Sequence, residues 1–320
     1  MSKTTNIGWC DSTANAVIGC SKVSEGCAHC YAEEDTPARV LRHRGVETWG
    51  AKGVRVPVKS FEANMLAMNR RPWICDHCGA EQDNPLYFCR DCGRTQYHRR
   101  RVFADSNSDW LDEQWPIERL AHFLDVIRRC PDISVLLLTK RPENWRERIR
   151  RVCDAWCGDH SNGGWGWLTD WYSCNRPPKN IWLGVSVENQ RTADERIPEL
   201  LKIPASVRFL SCEPLLEKVN LGLFGTIPKD IEPNYRLTHE RIDWVIVGGE
   251  SGKNRRDCGV EAIKYVASQC VVAGVPCFVK QDCALKPGQQ GRLNDGTWRL
   301  KEFPEIGKLQ IMSLRAPVFS

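Results

Sequence analysis

The sequence predicts an α/β barrel, and three observations predict it. Short apolar runs recur along the chain, helical patterns fill several of the gaps between them, and small or polar residues gather where the runs end. The runs lie at 101–106, 134–142, 181–189, 207–214, 243–251 and 276–281. Their apolar character is nearly continuous rather than alternating, the pattern of parallel strands covered on both faces. They recur at about the length of a strand–helix unit. An open doubly wound sheet shares this pattern, but polar residues clustered at strand ends favour the barrel, which places its chemistry there.

Ahead of the first run, Cys20, Cys27 and Cys30 form C-x6-C-x2-C, with Tyr31 directly after the third cysteine. Three thiolates can hold three irons of a cubane cluster and leave the fourth iron free for a substrate or cofactor. The competing reading is a structural zinc completed by Cys10 or His29. Cys10 would also close the open position if it bound the fourth iron.

Next comes an insertion at 72–100, where Cys75 and Cys78, then Cys89 and Cys92, form two C-x2-C-G knuckles. Four thiolates on paired knuckles predict a closed tetrahedral zinc ribbon, with rubredoxin-like iron the alternative. The ribbon is too short for a sizeable core, so the metal supplies much of its folding energy. Arginines at 70, 71, 90, 94, 99, 100 and 101 are interleaved with Trp73, Tyr87, Phe88 and Tyr97. That mixture suits either phosphate gripping with base stacking or a brace for the barrel.

The first clear helix opens at Trp115-Pro116-Ile117, with proline in its first turn and Leu120, Phe123, Leu124 and Ile127 as its apolar stripe, and stops before Pro131. A second insertion at 153–178 carries Cys153, Cys157, His160 and Cys174 among tryptophans; it reads as another zinc site or as an apolar lid. A last helix over 260–272 puts Val260, Ile263, Val266, Ala267 and Cys270 on one side and ends at Gly274.

At the run ends stand Asp105, Ser106, Asp109, Lys140, Arg141, Ser186, Glu188, Asn189, Ser211, Glu213, Glu250, Ser251, Lys280 and Gln281. In a barrel they converge on one mouth around the cysteine loop. The carboxylates can accept from ribose hydroxyls or an amine, and Lys140 or Arg141 can pair with a carboxylate or phosphate. Gly248 and Gly249 allow close backbone approach to a ligand or simply make a tight turn.

Composition sets the frame. The chain has 320 residues, 42% of them hydrophobic and 27% charged, the usage of a soluble globular protein. No apolar run is long enough to span a bilayer and no signal peptide opens the sequence, so we expect a cytoplasmic protein without a membrane partner. Seventeen cysteines in such a protein point to metals or clusters rather than disulfides. The net charge of +5 permits an anionic partner.

The blocks GCSKVSEGCAHCYAE (19–33), FADSNSDW (103–110), LLTKRPENW (137–145), WLGVSVEN (182–189), RFLSCEPL (208–215), DWVIVGGESG (243–252) and AGVPCFVKQ (273–281), in that order, resemble the phage Gp37/Gp68 family, also called DUF5131. Its three-cysteine element is similar to that of radical SAM enzymes. The resemblance covers most of the chain apart from the insertions and implies a radical SAM-like partial (β/α) TIM-like barrel; with the zinc-ribbon insertion read from its knuckles, we expect one domain over 1–320. It implies a [4Fe–4S] cluster on Cys20, Cys27 and Cys30, whose open iron chelates S-adenosylmethionine, reduced by an electron donor protein. Tyr31, Lys140, Glu188, Glu213 and Glu250 are then the expected cofactor-binding residues. The x6 spacing departs from the usual x3. The expected activity is a 5′-deoxyadenosyl radical enzyme acting on nucleic acid or a nucleotide-derived substrate. Its rivals are a zinc-stabilised nucleic-acid-binding protein without redox chemistry and a barrel hydrolase or repair enzyme with a purely structural cluster.

Overall fold

The computed structural model describes residues 5, 7–84, 88–156, 165–223, 241–286, 288–289, 292–293 and 295–304. Its frame is a curled, seven-stranded parallel half-barrel. The strands are β1 (Ser12–Ala14), β7 (Arg101–Ala104), β8 (Ser134–Thr139), β9 (Ile181–Ser186), β10 (Val207–Cys212), β11 (Trp244–Gly248) and β12 (Cys277–Gln281), adjacent in that order. Six of them coincide with the apolar runs. The seventh, β1, is a three-residue Ser-Thr-Ala strand paired to β7 by Ser12 against Val102 and Ala14 against Ala104.

Each strand is apolar on both sides because both faces are buried, and period-two alternation divides the residues. Val102, Val135, Leu137, Ile181, Leu183, Val245, Val247, Cys277 and Val279 face the helices in the larger core. Phe103, Leu136, Trp182, Phe209, Trp244, Ile246 and Phe278 face inward, joined by Trp9 and Cys10. This aromatic cluster plugs the hollow of the half-barrel, with Trp244 and Phe209 fully buried. Burying each such ring contributes roughly 1.5–3 kcal/mol. Gly184, between inward-facing Trp182 and Ser186, leaves room for the Phe209 ring, which a Cβ there would approach to 2.4 Å.

Among the described residues the sheet does not close on itself, and β1 and β12 are its edges. The β12 edge is covered by residues 300–302, through Val279 N–H to Leu300 O (2.9 Å) and Glu302 N–H to Cys277 O (3.0 Å). A covered edge has no free ladder to offer another chain.

Seven helices accompany the sheet among the described residues: α1 (Thr36–His43), α2 (Phe61–Asn69), α3 (Ile117–Arg128), α4 (Trp145–Trp156), α5 (Gly166–Ser173), α6 (Gln190–Leu201) and α7 (Val260–Ala273). Helix α3 begins directly after Pro116, and its predicted stripe of Leu120, Phe123, Leu124 and Ile127 is fully buried. Helix α7 stops at Gly274, whose φ of 66° is the left-handed conformation glycine accepts without penalty. A capping box at Asn189 and Thr192 opens α6. None of the described helices is long and apolar enough to cross a membrane.

Two small sheets complete the structure. β2 (Val17–Ile18) pairs with β3 (Val56–Pro57), bracketing the cysteine loop. β5 (Glu81–Gln82), β4 (Trp73–Cys75) and β6 (Tyr97–Arg99) make an antiparallel sheet inside 72–100. The tryptophans of 153–178 form no lid over the strand ends. Trp171 is buried against Trp145 of α4 (centroids 5.5 Å) and donates from its indole nitrogen to Pro204 O (2.6 Å), because burial gives the rings more apolar contact than a flap would.

Candidate functional site

The inward side of each strand changes character near its C-terminal end, from aromatic to polar. Continuing the alternation past Leu136, Trp182, Phe209, Trp244 and Phe278 leads to Lys140, Ser186, Ser211, Glu213, Gly248, Glu250 and Lys280. All of these but Gly248 line one cavity of about 560 Å³, together with Trp9, Thr13, Asn15, Asp109 and Gln281. This volume lies in the range of small-molecule sites, about 300–1,000 Å³. Cys20, Cys27, Cys30, His29 and Tyr31 line the same cavity from the loop after β1 and β2. They are its only cysteines among the described residues. Cys10 does not line it; it sits in the aromatic plug, its thiol 3.8 Å from Ile7 O, and burial pushes that thiol up to about 12.

Distant residues hold the cysteine loop in place. Arg141, almost fully buried, donates from Nη2 to Ser21 O (3.0 Å), from Nη1 to Asp109 Oδ2 (2.9 Å), and lies 3.8 Å from Cys20 Sγ. Asp109 also accepts from Thr139 Oγ1 (2.7 Å) and Lys140 N–H (2.9 Å). Arg55 bonds Ser21 Oγ at 2.6 Å while pairing with buried Asp112. On the other side, Ser24 Oγ donates to Glu188 Oε1 (2.7 Å), and a Cβ at Gly26 would fall 2.3 Å from Glu188 Cγ. The longer cysteine spacing thus accommodates a short 3-10 turn (Glu25–Cys27) seated directly on Glu188.

Glu188 therefore lies behind the loop and is absent from the cavity lining. Its carboxylate is shared by Lys140 Nζ (2.5 Å), Arg196 Nη1 (2.8 Å) and Ser24. Burial opposes its charge, but the lysine and arginine prevail and hold it down to about 2. Lys140 is cavity-facing yet tied to this carboxylate. Tyr31, 57% exposed, donates its hydroxyl to Ser106 O (3.1 Å).

Among the other carboxylates lining the cavity are Glu213 and Glu250, at strand ends. Glu213 accepts from Trp9 Nε1 (3.0 Å) and pairs with Lys280 Nζ (3.1 Å). Glu250 accepts from Arg256 N–H and Nη2 (2.6 and 2.7 Å) and meets His29 Nδ1 at 3.0 Å. Despite partial burial, Arg256 and His29 keep Glu250 below the ordinary carboxylate range. Gly248 and Gly249 make room for protein atoms: a Cβ at Gly248 would lie 2.9 Å from Glu213 Oε1, and one at Gly249 would lie 2.4 Å from Cys283 Sγ. Asp105, at φ 68°, uses its carboxylate to hold Ala16 and Val17 N–H (3.1 Å each) and Ser108. Burial outweighs those bonds and raises it to about 7.

Burial, reinforced by the Asp109 charge, also pushes the Cys20 thiol up to about 12, and burial raises Cys30. A cation bound by these thiols would reverse that, because its charge deprotonates a coordinating thiol outright. Cys20, Cys27 and Cys30 line one cavity with Glu213, Glu250, Lys140 and Lys280, but their sulfurs are not among the described groups whose ligand atoms lie within 4.8 Å of one another.

In the 72–100 sheet, Cys75, Cys78, Cys89 and Cys92 come together as a four-thiol group that can bind a metal such as zinc. Cys75 and Cys92 sulfurs are 3.6 Å apart, as are those of Cys78 and Cys89. Gly79 and Gly93 follow the knuckles at φ of 72° and 73° and donate back to Cys75 O and Cys89 O (2.9 and 2.8 Å). The arginines here divide. Arg100 bonds Ser12 Oγ (2.9 Å) and Glu81 (2.8 Å), and Arg101 pairs with Asp11 (3.1 Å), so both brace the unit against β1. Arg70, Arg71, Arg90 and Arg94 are exposed. Tyr87 lies outside the described residues, as do Cys157 and His160; Cys153 is half-buried and Cys174 exposed.

Arg55, Asp112, Arg196 and Arg256 had no signal in the sequence; each lies outside the strand-end motifs and reaches the site only through the fold. Residues 4–304 match the family model DUF5131, described as a protein of unknown function, and the chain belongs to that family. No curated protein and no solved structure matches it.

Proposed function

We propose that this DUF5131 chain is a radical SAM-like iron–sulfur enzyme of the kind the Gp37/Gp68 resemblance implies, with a [4Fe–4S] cluster on Cys20, Cys27 and Cys30. The observation that carries the reading is that these three thiols, and no fourth, face the cavity among the described residues. When bound, the cluster supplies an open iron for the amino and carboxylate groups of S-adenosylmethionine and one electron, delivered by a donor protein, that splits the sulfonium into methionine and a 5′-deoxyadenosyl radical.

The chain's own residues then bind and orient. Glu213, paired with Lys280, and Glu250, paired with Arg256 and His29, are acceptors for hydroxyl or ammonium groups. Ser186 and Ser211 add hydroxyls to the same wall. Lys140 offers a cation toward a carboxylate or phosphate while Glu188 fixes its position. Arg141, Arg55 and Glu188 keep the cysteine loop from shifting. The four-thiol insertion is a zinc ribbon that braces β1, the strand leading into that loop. The net charge of +5 and the exposed ribbon arginines favour nucleic acid or a nucleotide-derived substrate, in the cytoplasm.

Anaerobic purification and reconstitution test this. We expect a brown protein with about four irons per chain, and 5′-deoxyadenosine released from S-adenosylmethionine under reduction. Cys20→Ala, Cys27→Ala and Cys30→Ala should each abolish both. A colourless protein holding zinc alone would instead support a zinc-stabilised nucleic-acid-binding module.

A further inference from the structure

Behind the cavity wall, the ends of β11 and β12 bring together three groups that the radical chemistry does not use. A carboxylate oxygen of Asp257 and the sulfurs of Cys258 and Cys283 lie within 4.8 Å of one another. Cys258 and Cys283 are separated by 25 positions, and their sulfurs are 3.5 Å apart. A disulfide needs about 2.05 Å. Two sulfurs on a tetrahedral zinc with bonds of about 2.3 Å lie roughly 3.8 Å apart. The four-thiol ribbon shows 3.6 Å for its own pairs, so the two groups share one spacing.

The surroundings are built for these groups. Gly249 has no side chain where Cys283 Sγ sits, and the Cys258 N–H points at that sulfur from 3.4 Å, as backbone amides do around metal thiolates. Arg292 grips Asp257 with both guanidinium nitrogens (2.7 and 2.6 Å), and Gly259 N–H donates to Oδ1 (2.8 Å). Such contacts orient a ligating carboxylate and leave its remaining lone pairs for a cation. Arg292 is itself held beside β12, because its N–H and that of Leu293 donate to buried Asp282.

We infer that Asp257, Cys258 and Cys283 form a further metal site, separate from the ribbon and from the N-terminal cysteines, that takes zinc. Thiolate and carboxylate ligands on a divalent cation without redox demands select zinc in a reducing environment. Three protein ligands leave a fourth position for water, the arrangement of a reactive rather than a purely structural zinc. The site backs onto the Gly249–Ser251 stretch whose other side lines the cavity.

Metal analysis of the full chain tests it. Wild type should carry about two zinc ions, and Cys258→Ser and Cys283→Ser about one each. Cys75→Ser should also lose one, and the double variant Cys75→Ser/Cys283→Ser nearly all. Retention of ribbon zinc in Cys283→Ser is the internal check that the variant folds. Cobalt substitution should give thiolate-to-metal absorption that falls, without vanishing, in Cys283→Ser. Equal zinc in wild type and Cys283→Ser overturns the inference, as does a Cys258–Cys283 disulfide in anaerobically purified protein. Iron is counted separately, so loss of this site leaves the cluster reading intact, and absence of iron leaves this one.

Discussion

The N-terminal cysteine loop and the 72–100 sheet both present thiols, and they are assembled in opposite ways. In the 72–100 sheet, four cysteines lie within 18 positions, in two knuckles whose own turns point the sulfurs at each other. Little beyond the local sheet is needed. In the cysteine loop the sulfurs face a cavity, and the loop is fixed by Arg141, Glu188 and Glu250, which come from remote strand ends. A closed metal site is a local object, because four ligands saturate the ion and neighbouring turns can supply them. The open cluster proposed for the loop would instead need a scaffold that holds it open and costs nothing more when the ligand arrives.

Four measurements break or sharpen that contrast. The largest effect is expected from Cys89→Ala or from chelation. Structural zinc contributes roughly 10–16 kcal/mol in small modules, so 72–100 should become protease-sensitive. The half-barrel should keep its cooperative unfolding; if the whole chain melts, the 72–100 sheet is not the local object described.

Next, Glu188→Gln strands Lys140 and Arg196 without their shared carboxylate. Breaking a buried pair costs about 3–5 kcal/mol, measurable by urea unfolding, and the loop should loosen in hydrogen exchange around 20–30. The wild-type carboxylate, held near 2, contributes stability above its ordinary value of 4.5 that is lost as pH falls toward 2; Glu188→Gln should lack that loss.

Asp105 predicts the opposite slope. Its carboxyl is raised from 3.8 to about 7, so its contribution is fully present below pH 3.8 and is lost as pH rises through about 7. Asp105→Asn should flatten unfolding free energy between those values, by up to about 4 kcal/mol. An unchanged slope would remove Asp105 from the account of the loop. The smallest effect is expected at Gly184→Ala, whose methyl would crowd the Phe209 ring. Overpacking of this kind costs about 1–3 kcal/mol, should appear as a lowered Tm, and should leave whatever zinc and iron the wild type carries unchanged.

Much of the frame was legible. β7 to β12 announced themselves because strands buried on both faces must be apolar throughout. β1 did not, since Ser12, Thr13 and Ala14 carry no such pattern and become a strand only by pairing with β7. Helix α3 was readable from Pro116 and its stripe, and α7 from Gly274, because caps and periodicity are local. The tryptophans of 153–178 were not: whether an indole packs inward on Trp145 or covers a site depends on which helix lies beside it. Glu188 and Glu213 looked alike as acids ending strands. One is consumed by Lys140, Arg196 and Ser24, the other lines the cavity, and partners decide that.

By itself, then, the sequence determined six of the seven strands, the family blocks and the two cysteine knuckles of 72–100, whose own turns bring sulfurs together. These follow from periodicity and short-range geometry, which the chain carries residue by residue. Only the tertiary structure decided that Cys10 turns into the aromatic plug, that Arg55, Asp112, Arg196 and Arg256 support the cavity, and that Cys258 meets Cys283. Those encounters join residues separated by tens to hundreds of positions. Their distances are set by how seven strands curl and pack, which no local pattern records.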